Sequence, residues 1–153
     1  MASDSPGDDD VDADDDNEGY AVVDLDHVAL RVSDLDRALD LNHELLGLPV
    51  RDRGRYDRDE VPYVAVAAGG RHLHLVPDES FDGDGVGGEH VCLLLRSDEV
   101  DSKEELEGLL ADLAEAGVEV EANEPKTRYG AYGRAWAAYV RDPDGRRVEL
   151  KMH

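Results

Sequence analysis

Three short segments in the first half of the chain recur, in the same order, in the second half. Asp26-His27-Val28-Ala29-Leu30 is echoed by Glu89-His90-Val91-Cys92-Leu93. Leu45-Leu46-Gly47-Leu48-Pro49-Val50 is echoed by Leu113-Ala114-Glu115-Ala116-Gly117-Val118, and Gly70-Arg71-His72-Leu73-His74-Leu75 by Gly145-Arg146-Arg147-Val148-Glu149-Leu150. A repeat of this kind restricts the fold severely, because one arrangement of elements must suit both halves.

The elements of the first half read βαβββ. Residues 22–32 form an apolar, partly alternating run that predicts a strand, closed by Ser33-Asp34 as a helix cap. Leu35, Ala38, Leu39, Leu41, Leu45 and Leu46 then fall at helical spacing, and Gly47 with Pro49 ends the helix. Residues 50–56, 61–68 and 71–76 read as three strands, separated by a charged turn and by Gly69-Gly70. After a Gly- and Asp-rich loop over 77–88 the order begins again. Residues 89–96 predict a strand, 102–116 a helix carrying Leu106, Leu109, Leu110 and Leu113, 118–121 a short strand, 125–133 a loop, and 135–141 and 146–152 two further strands. Asp142-Pro143-Asp144-Gly145 joins the last two as a strong turn. The expected fold class is α+β, with modules at 21–76 and 89–153 in one domain spanning 21–153.

The repeat also pairs residues that carry chemistry. His27 corresponds to His90, and His74 to Glu149. Two like modules packed about a pseudo-twofold axis would bring these positions together, and three imidazoles with one carboxylate suit a divalent ion such as Zn, Ni, Fe, Mn or Co. A site with open coordination positions can polarise a substrate oxygen or activate water. His72 shares a strand face with His74, His43 lies in the first helix, and His153 is terminal; none of the three is expected to be a ligand.

Leu25-Asp26-His27-Val28-Ala29-Leu30-Arg31-Val32-Ser33-Asp34-Leu35, the helix end Leu45-Leu46-Gly47-Leu48, and Asp142 to Leu150 resemble the vicinal oxygen chelate superfamily of glyoxalases, bleomycin resistance proteins and extradiol dioxygenases. Arg128-Tyr129-Gly130-Ala131-Tyr132-Gly133 with the Ala138 to Gly145 stretch is similar to its small single-domain glyoxalase-like proteins. The resemblance implies two βαβββ modules in an open, U-shaped, eight-stranded barrel with His27, His74, His90 and Glu149 as metal ligands. His74 and Glu149 are then the proton-moving, catalytic groups, and Arg128, Tyr129 and Tyr139 the substrate-binding ones. His74 stands where glyoxalase I usually has Glu, and Leu41-Asn42 replaces a usual Phe-Tyr as a packing change. The activity implied is that of a metal-dependent lyase or isomerase on a small oxygen-chelating substrate. An Fe(II)-dependent ring-cleaving dioxygenase and a non-enzymatic binding or resistance protein are the alternatives. Relatives often pair through their open edges, so a homodimer is expected.

Composition narrows the partners. The chain has 153 residues, enough for one domain with a real core, and a net charge of -22 from 38 acidic and 16 basic residues. Such a surface disfavours nucleic acid and anionic lipid. Only three basic residues are lysines (Lys103, Lys126 and Lys151), a balance that resembles cytoplasmic proteins of salt-in halophiles, where molar salt screens self-repulsion. Residues 1–20 hold nine acids and no base and read as a disordered tail. No signal peptide or membrane span is evident, so a cytoplasmic location is expected. Cys92 is alone, which excludes an internal disulfide, and is expected to be a small buried packing residue. Lys126, Arg128 and Tyr129 form a local basic group in an acidic chain.

Overall fold

The computed structural model describes residues 21–153 apart from Val23 and Asn123, so the expected tail at 1–20 lies outside the described residues. Among the described residues nine strands form two sheets. The first contains β1 (His27–Val32), β2 (Val50–Arg51), β3 (Val64–Ala68) and β4 (Arg71–Pro77), in the order β1-β4-β3-β2. The second contains β5 (His90–Leu94), β6 (Glu119–Val120), β7 (Lys126–Gly130), β8 (Gly133–Arg141) and β9 (Arg147–Lys151). Its order is β5-β9-β8-β6, with β7 on β8. In each sheet the first strand lies parallel to the last one of its module, and the neighbouring pairs are antiparallel. The expected α+β class and open glyoxalase-like arrangement are therefore present, as two sheets with nine strands among the described residues in place of the expected eight.

One face of each sheet carries the core. In the first module Val32, Ala38, Val66, Leu73 and Leu75 are buried together, with Leu35 and Leu39 of α1 (Leu35–Leu39) packed against them. Asp34 caps α1 by accepting from the Arg37 backbone N–H, as its place before the leucines predicts. The helix then widens into a π-helical stretch, Asp40–Leu45, where the Leu46 N–H reaches the Leu41 carbonyl at 2.9 Å. Buried Asn42 sits at the start of that widening and donates its side-chain amide to the Ala38 carbonyl at 2.9 Å, the acceptor its own backbone N–H would use in an α-helix. Asn42 thus reshapes the helix as well as packing in it.

In the second module α3 (Lys103–Glu115) is capped by Ser102 and buries Leu106, Leu110 and Leu113. These pack on Ala138 and Val140 of β8 and on Val148, Leu150 and Met152. Val91 and Leu93 of β5 also touch the first core, and Leu46 touches the second, so the two cores are continuous at their border.

Polar contacts lock that border. The Asp144 carboxylate accepts from the Ser33 N–H at 3.1 Å and from the Ser33 hydroxyl. Arg146, 5% exposed, donates to Asp142 Oδ2 at 2.7 Å and to the Arg31 carbonyl at 2.6 Å. The β8–β9 turn is therefore docked onto the end of β1. Gly83 crosses over this turn at φ +83°, where a Cβ would stand 2.4 Å from the Asp144 carbonyl oxygen, so only glycine fits.

Two segments differ from expectation. Residues 50–56 were expected as one strand, but β2 stops at Arg51, and Asp52 takes a left-handed φ of 62°, leading into α2 (Arg53–Asp57). Asp tolerates that conformation, and the Arg53–Asp57 ion pair at 3.2 Å spans one helical turn. The expected loop at 125–133 is mostly β7, paired antiparallel with β8 and closed by a tight turn at Ala131-Tyr132, with Gly133 at φ +94°. Its side chains lack apolar alternation, and backbone pairing with β8 is what makes it a strand.

Candidate functional site

Strand alternation sends Val28, Leu30, Leu73 and Leu75 to the helix-covered face of the first sheet, and His27, Ala29, His72 and His74 to the face without helices. In register, His27 lies opposite His72 and Ala29 opposite His74. The second sheet repeats this residue for residue: His90 lies opposite Arg147, and Cys92 opposite Glu149. His27 and His90 are thus structural equivalents, and so are His74 and Glu149. On the neighbouring strands Ala65 stands opposite His74, while Tyr139 stands opposite Glu149.

On the first sheet the His27 and His74 rings stack at 4.0 Å, and Tyr63 covers the other side of His74 at 3.8 Å. Asp26 Oδ1 lies 2.7 Å from His27 Nδ1, which orients the ring and makes Nε2 the nitrogen available to a ligand. Burial lowers the His74 pKa first, and the neighbouring His27 and His72 lower it further. His74 is therefore kept neutral, the form that can ligate a metal or accept a proton. His72 stands 6.2 Å from His74 with its ring tilted.

On the second sheet His90 Nε2 lies 3.1 Å from Glu149 Oε1, and Glu149 is only 5% exposed. The Tyr139 ring meets His90 edge-on at 5.5 Å. Burial raises the Tyr139 phenol's pKa most, the charge of Glu149 and a hydrogen bond to it add to this, and Arg128 and Arg147 oppose it. Arg147 lies over the Tyr139 ring at 4.0 Å and Arg128 at 5.6 Å. Tyr129, by contrast, alternates to the other side of the β7–β8 hairpin, 66% exposed and beneath Arg134. It shares no face with Glu149.

Cys92 corrects one expectation. The residue is exposed rather than buried, on the helix-free side of β5 opposite Glu149. Local desolvation of the sulfur and then the Glu149 charge push its pKa up to about 11, so it is a protonated thiol at neutral pH and a poor nucleophile.

Two residues of this surface, Tyr63 and Lys151, were not singled out from the sequence, and a third, Arg147, was expected to be only structural beside the turn. Tyr63 is two residues from Ala65 and so on the His74 side, and Arg147 is the repeat partner of His72. Lys151 is two residues beyond Glu149, 2% exposed, and donates to the Gly133 carbonyl at 2.9 Å and the Met152 carbonyl at 3.2 Å. It pins the end of the β7–β8 hairpin. Two-residue alternation from Glu149 was the signal that could have found Arg147 and Lys151, whereas Tyr63 needed the pairing of Ala65 with His74.

The chain brings the four ligand candidates together as two pairs, His27 with His74 and His90 with Glu149. Among the described residues no group of three or more His, Cys, Asp or Glu side chains is gathered closely enough to hold a metal ion. The pairs occupy different sheets, and the Asp144 and Arg146 contacts hold those sheets side by side. Nor is any helix among the described residues long and apolar enough to cross a membrane.

A family model described as the Glyoxalase/Bleomycin resistance protein/Dioxygenase superfamily matches residues 24–150. Among solved structures, an integron cassette protein from V. cholerae is similar at 23% identity and a TM-score of 0.64, over 88% of this chain and 98% of that one. A virulence protein from Salmonella typhimurium is similar at 21% identity and a TM-score of 0.63, over 88% and 99%. Lactoylglutathione lyase from Agrobacterium tumefaciens is similar at 22% and 0.55, over 84% and 92%. Curated proteins yield no match.

Proposed function

The chain belongs to the glyoxalase/bleomycin resistance protein/dioxygenase superfamily, and from that premise we propose that it is a divalent-metal-dependent lyase or isomerase acting on a small oxygen-bearing substrate. In this reading two copies of the chain complete each metal site, His27 and His74 coming from one copy and His90 and Glu149 from the other. Members of the superfamily commonly use divalent metals and bind small molecules. The observation that carries the proposal is the matching register of the two sheets. Each presents one pair of nitrogen or oxygen groups on its helix-free face, yet among the described residues no third His, Cys, Asp or Glu joins either pair closely enough to hold an ion. Each pair has the composition of half a site, and a twofold dimer offers the geometry that joins unlike halves twice.

The donors suit a borderline ion such as Zn, Ni, Fe, Mn or Co, which when bound would polarise a substrate oxygen as a Lewis acid. The chain's own groups do the rest. Glu149 can accept a proton on a carboxylate oxygen that the ion leaves free, and His74, whose pKa burial lowers, can accept one only through a ring nitrogen that is not ligating. Tyr63 stacks on His74 and Tyr139 meets His90 edge-on, so each pair has one aromatic wall.

Mixing two variants tests this. His27→Ala and Glu149→Gln each damage both sites of a homodimer, so each alone should bind Zn or Ni more than roughly 100-fold more weakly. After co-refolding, heterodimers regain one intact site, returning about a quarter of the wild-type sites by statistical assortment. Sedimentation as a single chain, or no recovery on mixing, would reject the shared site. Tightly held iron with oxygen uptake would move the assignment to the dioxygenase. A dimer that binds no metal would move it to a sequestering protein.

A further inference from the structure

Beside the His90–Glu149 pair lies a small pocket of about 160 Å³, lined by Glu121, Glu124, Lys126, Arg128, Tyr139 and Arg147. Its charge is the reverse of the chain's. Both acids already have cationic partners: Glu121 takes a forked pair of hydrogen bonds from Arg147, at 2.7 and 2.9 Å, and a contact from Arg141 at 3.2 Å. Glu124 is paired with Lys103 at 3.6 Å. Among the described residues, neither Lys126 nor Arg128 has a carboxylate within ion-pair distance. In a protein of net charge -22, two cations facing one pocket without acidic partners are conspicuous, since acids are abundant enough to pair with them.

We propose that this pocket is the subsite for a carboxylate on the substrate, with Arg128 and Lys126 as its recognition groups. Three features support that chemistry. Arg128 and Arg147 both lie over the Tyr139 ring, which holds the guanidiniums in place and lowers the entropy lost on engaging an anion. Arg147 has its fork taken by Glu121 and serves as a fixed wall, while the Arg128 fork is available to match a planar carboxylate. The volume suits a group of a few heavy atoms, on the order of five waters' worth. Tyr139 touches both His90 and the two arginines, so the anion would sit one side chain away from the Glu149 carboxylate. The substrate class is then a small organic acid whose reacting oxygens extend from the pocket towards His90 and Glu149.

This inference rests on the proposed function for its reaction but not for its binding, and the test separates the two. Pyruvate and its neutral amide are titrated calorimetrically into the full-length protein after chelator treatment. The same titrations are made on Arg128→Gln and Lys126→Gln, with inorganic phosphate as a third ligand. The acid is expected to bind at least ~10-fold more tightly than the amide, and Arg128→Gln to lose about that factor while its unfolding midpoint stays unchanged. Glu149→Gln, which removes a neighbouring negative charge, should bind the acid as well as or better than wild type. Equal affinity for acid and amide, no effect of Arg128→Gln, or tighter binding of phosphate would overturn the carboxylate assignment. Acid binding that depends on Arg128, in a protein that fails the metal titration, would leave this subsite standing and remove the lyase.

Discussion

The two modules share a backbone register and differ in nearly everything placed on it. Where the first has Ala65 beside His74, the second has Tyr139 beside Glu149; where the first has Ala29, the second has Cys92; where the first has His72, the second has Arg147. The helix-free face of the first module is therefore a set of imidazole and phenol rings, and that of the second a surface of carboxylate, phenol and guanidinium. The repeat keeps equivalent positions on the helix-free faces, and the residues at those positions have diverged. One face presents imidazoles, and the other a buried carboxylate with guanidiniums nearby.

The sharpest contrast is between Arg146 and Arg71, which occupy the same place in the repeat. Arg146 is buried against Asp142 and the Arg31 carbonyl, whereas Arg71 meets Asp24 at 2.6 Å on the surface. Arg146→Ala would leave the Asp142 carboxylate buried without its partner and is expected to cost roughly 3–5 kcal/mol. Arg71→Ala should barely move the unfolding midpoint, because solvent screens that pair. Chemical denaturation of the two variants in concentrated KCl checks this, and equal losses would mean that the border contacts do not hold the modules.

Leu75 and Leu150 are also repeat partners, at 0% and 1% exposure, one in each core. Each change to Ala should cost about 2–5 kcal/mol. Because the cores touch through Val91, Leu93 and Leu46, both variants should unfold in a single transition. Two separated calorimetric transitions in either variant would show that the modules are independent units.

Acidity should affect the first module through His74. Its folded pKa is lowered from the ordinary 6.5, so the unfolded chain binds the proton more readily. Stability therefore rises with pH through this range and falls on acidification below about 6.5. In metal-free protein the melting midpoint should drop between about pH 7.5 and pH 5.5, and His74→Gln should flatten part of that decline. A midpoint indifferent to this substitution would remove burial as the reason His74 is neutral.

The smallest effect is expected at the equivalent pair Ala29 and Cys92. With its pKa near 11, Cys92 should react slowly with iodoacetamide at neutral pH, and Glu149→Gln should speed it several-fold. A cysteine placed by Ala29→Cys in a Cys92→Ser background has no carboxylate opposite it and should react faster. Equal rates at the two positions would mean that the fields of the two faces do not differ in the way described.

Much of this architecture is legible in the residues. Gly47 and Gly117 end their helices, Asp34 and Ser102 start them, and alternation about His27, His74, His90 and Glu149 places them on helix-free faces. The β7 strand was not legible, since Lys126-Thr127-Arg128-Tyr129 has no apolar period and gains its structure from hydrogen bonds to β8. Nor was α2, which depends on Asp52 adopting a left-handed turn that few residues tolerate. The pocket at Lys126 and Arg128 was visible as a basic stretch, but the pairing of Glu121 and Glu124 that leaves those cations available needed coordinates.

By itself, the sequence determined the duplication, most of the order of elements and the four positions proposed as donors, because periodicity and turn chemistry act over a few residues and are written locally. Only the tertiary structure decided that these four side chains form two separate pairs. That outcome depends on how two sheets dock through Asp144, Ser33, Arg146 and the Arg31 carbonyl, contacts that span more than a hundred residues of chain and have no local pattern to announce them.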